Sequence, residues 1–371
     1  MNLKIDIVNY LKKYDLSFFG IVIIIFIIGI LNLYSATHAA NKVVLGAIYK
    51  KQLIMFGVAM GVGFLVSFIR PKNYFRFAYV LYGLNIFALI LVLIMGNKAL
   101  GAQRWLVLGP IRFQPSEMMK ISVVLALARW YTKNNPHTET GLKELVVPGL
   151  IALFPAMLII VEPDLGTGLI VLLVFLMIAF YRRLKWKTII IVSIMAALAG
   201  GVMFEFGLKN YQKQRILTFL DDTADARGTG YNAIQSKIAI GSGQIFGKGY
   251  KKSSQASLNY LPENHTDFVF SIFNEEHGLL GSILLLALYG ILFFRFLWLS
   301  TSVLRFFDSL LAIGLMSIFF FHTVVNMGMV MGLMPIVGLP LPLMSYGGSS
   351  LLTFGVCIGI ATGLSNSRNF F

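Results

Sequence analysis

Apolar residues in this chain come in long unbroken runs, without the alternation of half-buried strands or the narrow stripe of a soluble amphipathic helix. A helix that crosses a membrane needs about 20 predominantly apolar residues. Ten runs approach that length: Ser17–Ser35, then residues 52–69, 76–95, 116–132, 145–162, 165–181, 188–207, 279–299, 307–332 and 349–365. The pattern predicts an all-α polytopic membrane protein with ten spans, a single domain over residues 1–371. The first run follows Lys4, Lys12 and Lys13, as in a signal peptide. Its apolar core is too long for one and nine runs follow, so it reads as a retained helix.

One stretch breaks the pattern. Residues 208–266, between spans seven and eight, form a large extracytoplasmic loop, and loops of this length are usually functional or disordered. Ile216, Leu217, Phe219, Leu220, Ile238 and Ile240 are interleaved with polar residues. That pattern predicts short amphipathic helices on the outer membrane surface.

Composition agrees with the membrane reading. Hydrophobic residues make up 57% of the chain and charged residues 13%, with a mean hydropathy of +0.78; a soluble domain carries about 25% charged residues. The net charge of +15 would suggest nucleic acid in a soluble protein. Here it follows the positive-inside bias and attraction to anionic membrane lipid, and no nucleic-acid partner is expected. With the N-terminus inside, sixteen Lys and Arg fall on the cytoplasmic side and six in the short outer loops. Both termini are therefore placed in the cytoplasm. The single cysteine, Cys357, excludes a disulfide framework and a thiol metal site.

Acidic residues show the opposite bias. Glu117, Glu162, Asp164, Glu205, Asp221, Asp222, Asp225, Glu263, Asp267, Glu275 and Glu276 all fall in outer loops or at outer helix ends on this topology. Charge near lipid is costly and tends to be kept for function, so chemistry is expected at the outer face. For Asp221 and Asp222, solvated loop positions are explanation enough.

Four segments concentrate the chemistry. In Leu261–Phe270, Thr266 and Asp267 stand where a helix enters the membrane. Asp267 is read either as a cap favoured by the helix dipole or as a general base at the water–lipid boundary. Gly278 and Gly281 follow Glu275, Glu276 and His277 and are candidate kinks. In Arg104–Lys120, Ser116 can cap span four, and Glu117 and Lys120 share a helix face. They form a local ion pair or, with Arg104, a cationic cradle for phosphate. Glu162–Thr167 is a tight outer turn in which Asp164 can cap. Met334–Ser350 is apolar yet rich in helix breakers. At membrane depth such backbone survives only where protein buries it or it lines a cavity, so it predicts an internal groove whose carbonyls find partners in His322 and Asn326. The glycine-rich run Gly241–Gly249 fits neither phosphate-loop template, and Asn264-His265-Thr266 is a sequon short enough to arise by chance.

Together these segments resemble the SEDS family (shape, elongation, division and sporulation), bacterial polytopic peptidoglycan glycosyltransferases. Arg104-Trp105 with Phe113–Glu117 matches its RW…FQPSE segment, and Pro163–Thr167 its PDLGT turn. Ile238–Gly249 with Leu261–Phe268 matches IAIGSG…GKG…LPE.HTDF, and Gly338–Ser350 matches GLPLPL.SYGGSS. Asn326–Val330 and Pro335–Pro340 are closer to the rod-shape branch than to the division branch. Glu162 stands where many relatives carry Gln.

The resemblance implies polymerisation of lipid II into β-1,4 glycan strands at the outer face of the bacterial cytoplasmic (inner) membrane during elongation. It implies Asp267 as the catalytic residue, with substrate met by Arg104, Gln114, Glu117, Lys120, Asp164, Arg215, Glu263, His265, Ser345 and Tyr346. A divalent cation, Mg or Mn, is a candidate cofactor beside the cations that balance the diphosphate. The implied partners are a class B penicillin-binding protein, the nascent glycan strand and other elongation-complex proteins. The competing reading is a flippase for the lipid-linked precursor; a non-catalytic scaffold would leave Asp267 without a role.

Overall fold

The computed structural model describes residues 14–38, 46–99, 102–108, 111–134, 139–220, 229–258, 260–261 and 265–368. Expectations for Asp221, Asp222, Asp225, Glu263 and Asn264 fall outside these residues. In chain order the helices are α1 (Ser17–His38), α2 (Gly46–Val66), α3 (Pro71–Met95), α4 (Pro115–Lys133), α5 (Leu142–Val161), α6 (Leu165–Tyr181) and α7 (Trp186–Val202). There follow α8 (Asn210–Leu220), α9 (Thr229–Gly243), the single turn α10 (Ser254–Ser257), α11 (Val269–Ser302), α12 (Phe306–Val330) and α13 (Gly348–Arg368). Among the described residues, eight helices are long and apolar enough to cross a membrane. The chain is a multi-pass membrane protein.

The other two expected spans correspond to α4 and α6. Helix α6 has 17 residues, and α4 carries Glu117, Lys120, Arg129 and Lys133 among its apolar positions. Both lie largely buried in the bundle, where charge can be paired by protein. The expected eighth span at 279–299 begins where α11 kinks: Gly278 has φ 66° and ψ −163°, so the element is two helices joined at a bend. One departure from an all-α fold is a three-stranded antiparallel meander, β1 (Asn97–Ala99), β2 (Ala102–Leu108) and β3 (Ile111–Phe113). It lies between α3 and α4 and carries Arg104 and Trp105.

Burial identifies the centre of the bundle. The apolar window of α12 is 83% buried and that of α13 is 78% buried, whereas none of the window starting at Trp186 in α7 is. Helix α13 packs on α2 through small residues in step. A Cβ on Gly355, Gly359 or Gly363 would strike the carbonyl of Ala59, Gly63 or Ser67 respectively. This is the small-residue packing that brings membrane helices together when lipid removes the hydrophobic drive. Near Gly363, Asp15 ion-pairs with Arg295 and accepts from Ser17 and Ser365, tying α1, α11 and α13.

The large loop contains helices, as its apolar–polar interleaving predicts. Helix α9 packs against α11, and the glycine-rich run that ends it serves close approach rather than phosphate binding. A Cβ on Gly243 would meet the Asn274 carbonyl, one on Gly247 (φ +78°) the Glu276 carbonyl, and one on Gly278 the Gly247 nitrogen. Lys248 N and Gly249 N donate to the carbonyls of Glu275 and Glu276 at 2.9 and 3.0 Å. The kink in α11 and this run fit only each other.

Candidate functional site

The breaker-rich segment 334–347 leaves helix α12 and runs as irregular backbone before α13. Several of its polar groups find partners on surrounding elements, as buried backbone requires. His322 Nδ1 lies 3.3 Å from the Pro340 carbonyl, Asn326 Nδ2 donates to Leu339 O at 2.6 Å, and Tyr289 donates to Pro342 O at 2.5 Å. Gln52 donates to Ser345 O and accepts from Gly347 N. His322 and Asn326 thus have the role their sequence position suggests. Gln52 and Tyr289 have no sequence signal beyond being polar tips within apolar runs.

This segment holds the turn that carries Asp267. Ser345 Oγ donates to Thr266 O at 2.6 Å, Tyr346 N to His265 O at 2.9 Å, and Asn326 Nδ2 to Asp267 O at 2.8 Å. The His265 and Tyr346 rings lie 6.2 Å apart. Helix α11 starts at Val269, with Phe268 as its N-cap. Asp267 therefore stands outside the first helical turn, and the capping reading of Thr266 and Asp267 is replaced by a turn clamped at three carbonyls. Asp267 is half-buried.

Arg215, on α8, and this carboxylate both approach Gly338. A Cβ on Gly338 would lie 3.3 Å from Asp267 Oδ2 and 3.8 Å from Arg215 Nη1. A side chain there would press on the Asp267 carboxylate and lie in ordinary contact with Arg215. Gly338 also has φ +73°, a conformation glycine adopts without steric cost. Arg215 Nη1 donates to Ile336 O at 3.4 Å.

A second cluster joins the β meander, the start of α4 and the α5–α6 turn. Arg104 donates to the Glu162 and Pro163 carbonyls. Gln114 donates to Asp164 Oδ2 at 3.0 Å, and Asp164 Oδ1 caps α6 by accepting from Thr167 N. The N-cap position of α4 belongs to Gln114, with Pro115 as the first helical residue, so Ser116 does not cap as its place in sequence suggests. Pro is well suited to that position, where the N–H it lacks has no helical partner. Both Glu162 oxygens are buried without a hydrogen-bond partner. Burial, then the Asp164 charge, pushes its pKa up to about 8, with Arg104 opposing. The cluster abuts the clamped segment: a Cβ on Gly166 would meet Leu339 Cγ and Val337 O at 2.9 Å.

Glu117 and Lys120 form the buried centre. Lys120 has no exposed surface, and its Nζ lies 2.9 Å from Glu117 Oε1 and 2.7 Å from His322 Nε2. An ammonium can only donate and a carbonyl can only accept. His322 thus faces the Pro340 carbonyl with Nδ1 and Lys120 with Nε2. A chain of contacts runs from Glu117 through Lys120 and His322 into the segment that clamps Asp267.

Of the residues singled out from sequence, Asp267, Arg215, His265, Ser345 and Tyr346 come together around the clamped segment. Arg104, Gln114 and Asp164 form the adjoining cluster. Glu117 and Lys120 lie beneath, paired, rather than open to the outer surface as a cradle; Glu263 falls outside the described residues. Among the described residues no group of three or more His, Cys, Asp or Glu could hold a metal ion, so no chemical step is assigned to one.

The sequence model of the FtsW/RodA/SpoVE family, described as cell cycle proteins, matches residues 15–369. Among similar curated proteins, the peptidoglycan glycosyltransferase MrdB of Escherichia coli K12 is 41% identical over 313 residues, covering 84% of each chain. The peptidoglycan glycosyltransferase RodA of Treponema pallidum is 32% identical over 416 residues, covering 92% of this chain and 94% of its own. One similar solved chain belongs to a peptidoglycan synthase complex described as coordinating polymerization and crosslinking; it superposes with TM-score 0.82 at 32% identity, over 96% of this chain and 98% of its own. The rod shape determining protein RodA of Thermus thermophilus superposes with TM-score 0.71 at 32% identity, over 96% and 97%.

Proposed function

Because the chain belongs to the FtsW/RodA/SpoVE family, we propose that the clamped turn at residues 265–267 is its reaction centre, with Asp267 as general base. The protein is a peptidoglycan glycosyltransferase of the rod-shape branch. Its substrate on this reading is lipid II. Asp267 takes the proton from the acceptor sugar's 4-hydroxyl, and the oxygen attacks the anomeric carbon of the donor chain. The new C–O bond forms with inversion as the bond to the diphosphate breaks, and undecaprenyl diphosphate leaves with the electron pair. No other energy source is needed, since the diphosphate is already activated.

The observation that carries this reading is the clamp. Three hydrogen bonds fix the backbone of His265, Thr266 and Asp267, while the half-buried Asp267 carboxylate faces the same point as Arg215. A base must be held within hydrogen-bonding reach of its proton, and fixed geometry lowers the entropic part of the barrier. Arg215 stabilises negative charge as it develops on the departing diphosphate.

The reaction faces the outside of the bacterial cytoplasmic membrane, with both termini in the cytoplasm; the distribution of Lys and Arg supports this. A class B penicillin-binding protein is the partner, a reading supported by the similar chain in a synthase complex. The test is lipid II polymerisation by the purified protein with that partner. Glycan product supports the reading, and transport of lipid II without product supports a flippase.

A further inference from the structure

Because α11 is broken at Gly278, Val269–His277 forms a short half-helix that starts just after Asp267 and depends on its own side contacts for its placement. Every residue from Val269 to Glu276 is buried, and the polar groups reach several neighbours. Asn32 of α1 donates to Val269 O at 2.9 Å and Ser35 of α1 donates to Glu276. Ser271 contacts Ser236 of α9 at 2.9 Å, and Asn274 donates to Ser282 beyond the kink at 2.6 Å. Glu275 makes the densest set and has no exposed surface. Its Oε1 accepts from Lys248 Nζ at 2.5 Å, Ser254 Oγ at 2.7 Å and Ser254 N at 3.1 Å. Its Oε2 accepts from Ser253 Oγ at 2.5 Å and Gln255 N at 3.4 Å. Ser253 in turn caps α10 by accepting from Ala256 N at 3.1 Å. A carboxylate has about four lone-pair sites, so this one is saturated by the segment that precedes the clamped turn.

We propose that Glu275 is a positioning residue for the reaction: by binding the 248–255 segment it fixes the half-helix, and with it the turn that carries Asp267. The proposal rests on the reading of that turn as the reaction centre. Gln255 and Glu275 lie 20 residues apart with Asp267 between them, so their contact closes a short loop around the turn. Closing a loop removes chain freedom before any substrate arrives. Asn326, Ser345 and Tyr346 hold the turn's carbonyls from the irregular segment, whereas Glu275 joins the chain that enters the turn to the chain that leaves it. An amide cannot replace this carboxylate. Lys248 Nζ and the main-chain N–H groups of Ser254 and Gln255 can only donate. Whichever way it is turned, Glu275→Gln sets its NH2 against one of these donors while keeping the size of the side chain. The Lys248 side chain is 34% exposed, so replacing it weakens the set from the surface without emptying it.

The test compares full-chain variants in lipid nanodiscs by steady-state lipid II polymerisation with the partner, and by amide hydrogen exchange without substrate. Glu275→Gln is expected to lower kcat about tenfold with KM for lipid II little changed, since a misplacement of about 1 Å at a reacting group can cost more than that. Exchange should rise both in residues 248–257 and in residues 265–271. Lys248→Gln should move both readouts in the same direction by a smaller factor, and Lys248→Arg should restore them. That pair carries the test where Glu275→Gln does not yield monodisperse protein. Wild-type kcat in Glu275→Gln, or in Lys248→Gln where it stands in, overturns the proposal. So does faster exchange confined to 248–257, which would make Glu275 a brace of the outer loop alone. The exchange readout is independent of Asp267 chemistry. If Asp267→Asn polymerises normally while Glu275→Gln loosens 265–271 and slows turnover, the base assignment fails and the positioning role stands; if Asp267→Asn is inactive while Glu275→Gln matches wild type, the reverse holds.

Discussion

Asn326 donates its side-chain amide to the main-chain carbonyl of Asp267 at 2.8 Å and to that of Leu339 at 2.6 Å, with no exposed surface of its own. One residue of the central helix α12 thus holds the turn bearing the carboxylate and the irregular segment beside it. Asn326→Ala leaves two carbonyls short of a donor, and an unsatisfied buried polar group costs about 1–3 kcal/mol. The expected outcome is a lower melting temperature together with a fall in polymerisation larger than lost folded protein explains, measured on the monodisperse fraction.

His322 connects the buried Glu117–Lys120 pair to Pro340 O. His322→Gln keeps one acceptor and one donor, and should retain most activity. His322→Phe removes both and leaves Lys120 with one partner fewer in a dry interior. A large loss for Phe with near-wild-type behaviour for Gln in melting and polymerisation assays would show that hydrogen bonding, not proton transfer, is the role.

Glu162 titrates at about 8, raised first by burial and then by Asp164. A folded-state acid raised above its ordinary value of 4.5 binds its proton more tightly when folded. Stability is then lost as pH rises from about 5 to about 8 and levels off above. Glu162→Gln removes that loss. Its melting temperature should exceed wild type at pH 8 by the equivalent of roughly 1–4 kcal/mol, with the difference closing towards pH 5. An unchanged gap across that range would show that Glu162 is ionised throughout.

Gly338→Ala places a methyl 3.3 Å from Asp267 Oδ2 at a φ of +73°. Strain of this kind costs on the order of 1–3 kcal/mol, and the carboxylate must give way slightly. Polymerisation should fall sharply even where the protein remains folded, with partner binding retained in a pull-down.

Much of this is legible in the sequence. Long apolar runs give the spans because lipid leaves the backbone no alternative to internal hydrogen bonding. Pro335, Pro340 and Pro342, apolar yet unable to continue a helix, mark the buried irregular segment and hence the site. Other features depend on partners far away in the chain. Gly355, Gly359 and Gly363 show their purpose only against Ala59, Gly63 and Ser67. Gly247 and Gly278 each explain the other. The sequence leaves Glu117 and Lys120 open between a local ion pair and a phosphate cradle, and the pair is decided only by His322, 202 residues away, which closes the other side of Lys120. The meander at Asn97–Phe113 leaves no sequence signal, since its three strands total 13 residues and carry little periodicity.

The central claim is that Asp267 acts by accepting a proton. Asp267→Asn preserves size and leaves the main-chain bond from Asn326 in place, so membrane insertion, melting temperature and partner binding should match wild type. It removes the proton acceptor. Lipid II polymerisation by the purified variant with its partner, beside wild type, should fall by about 10²-fold or more, the scale of general-base removal. A well-folded Asp267→Asn protein that polymerises within a few-fold of wild type would contradict the account.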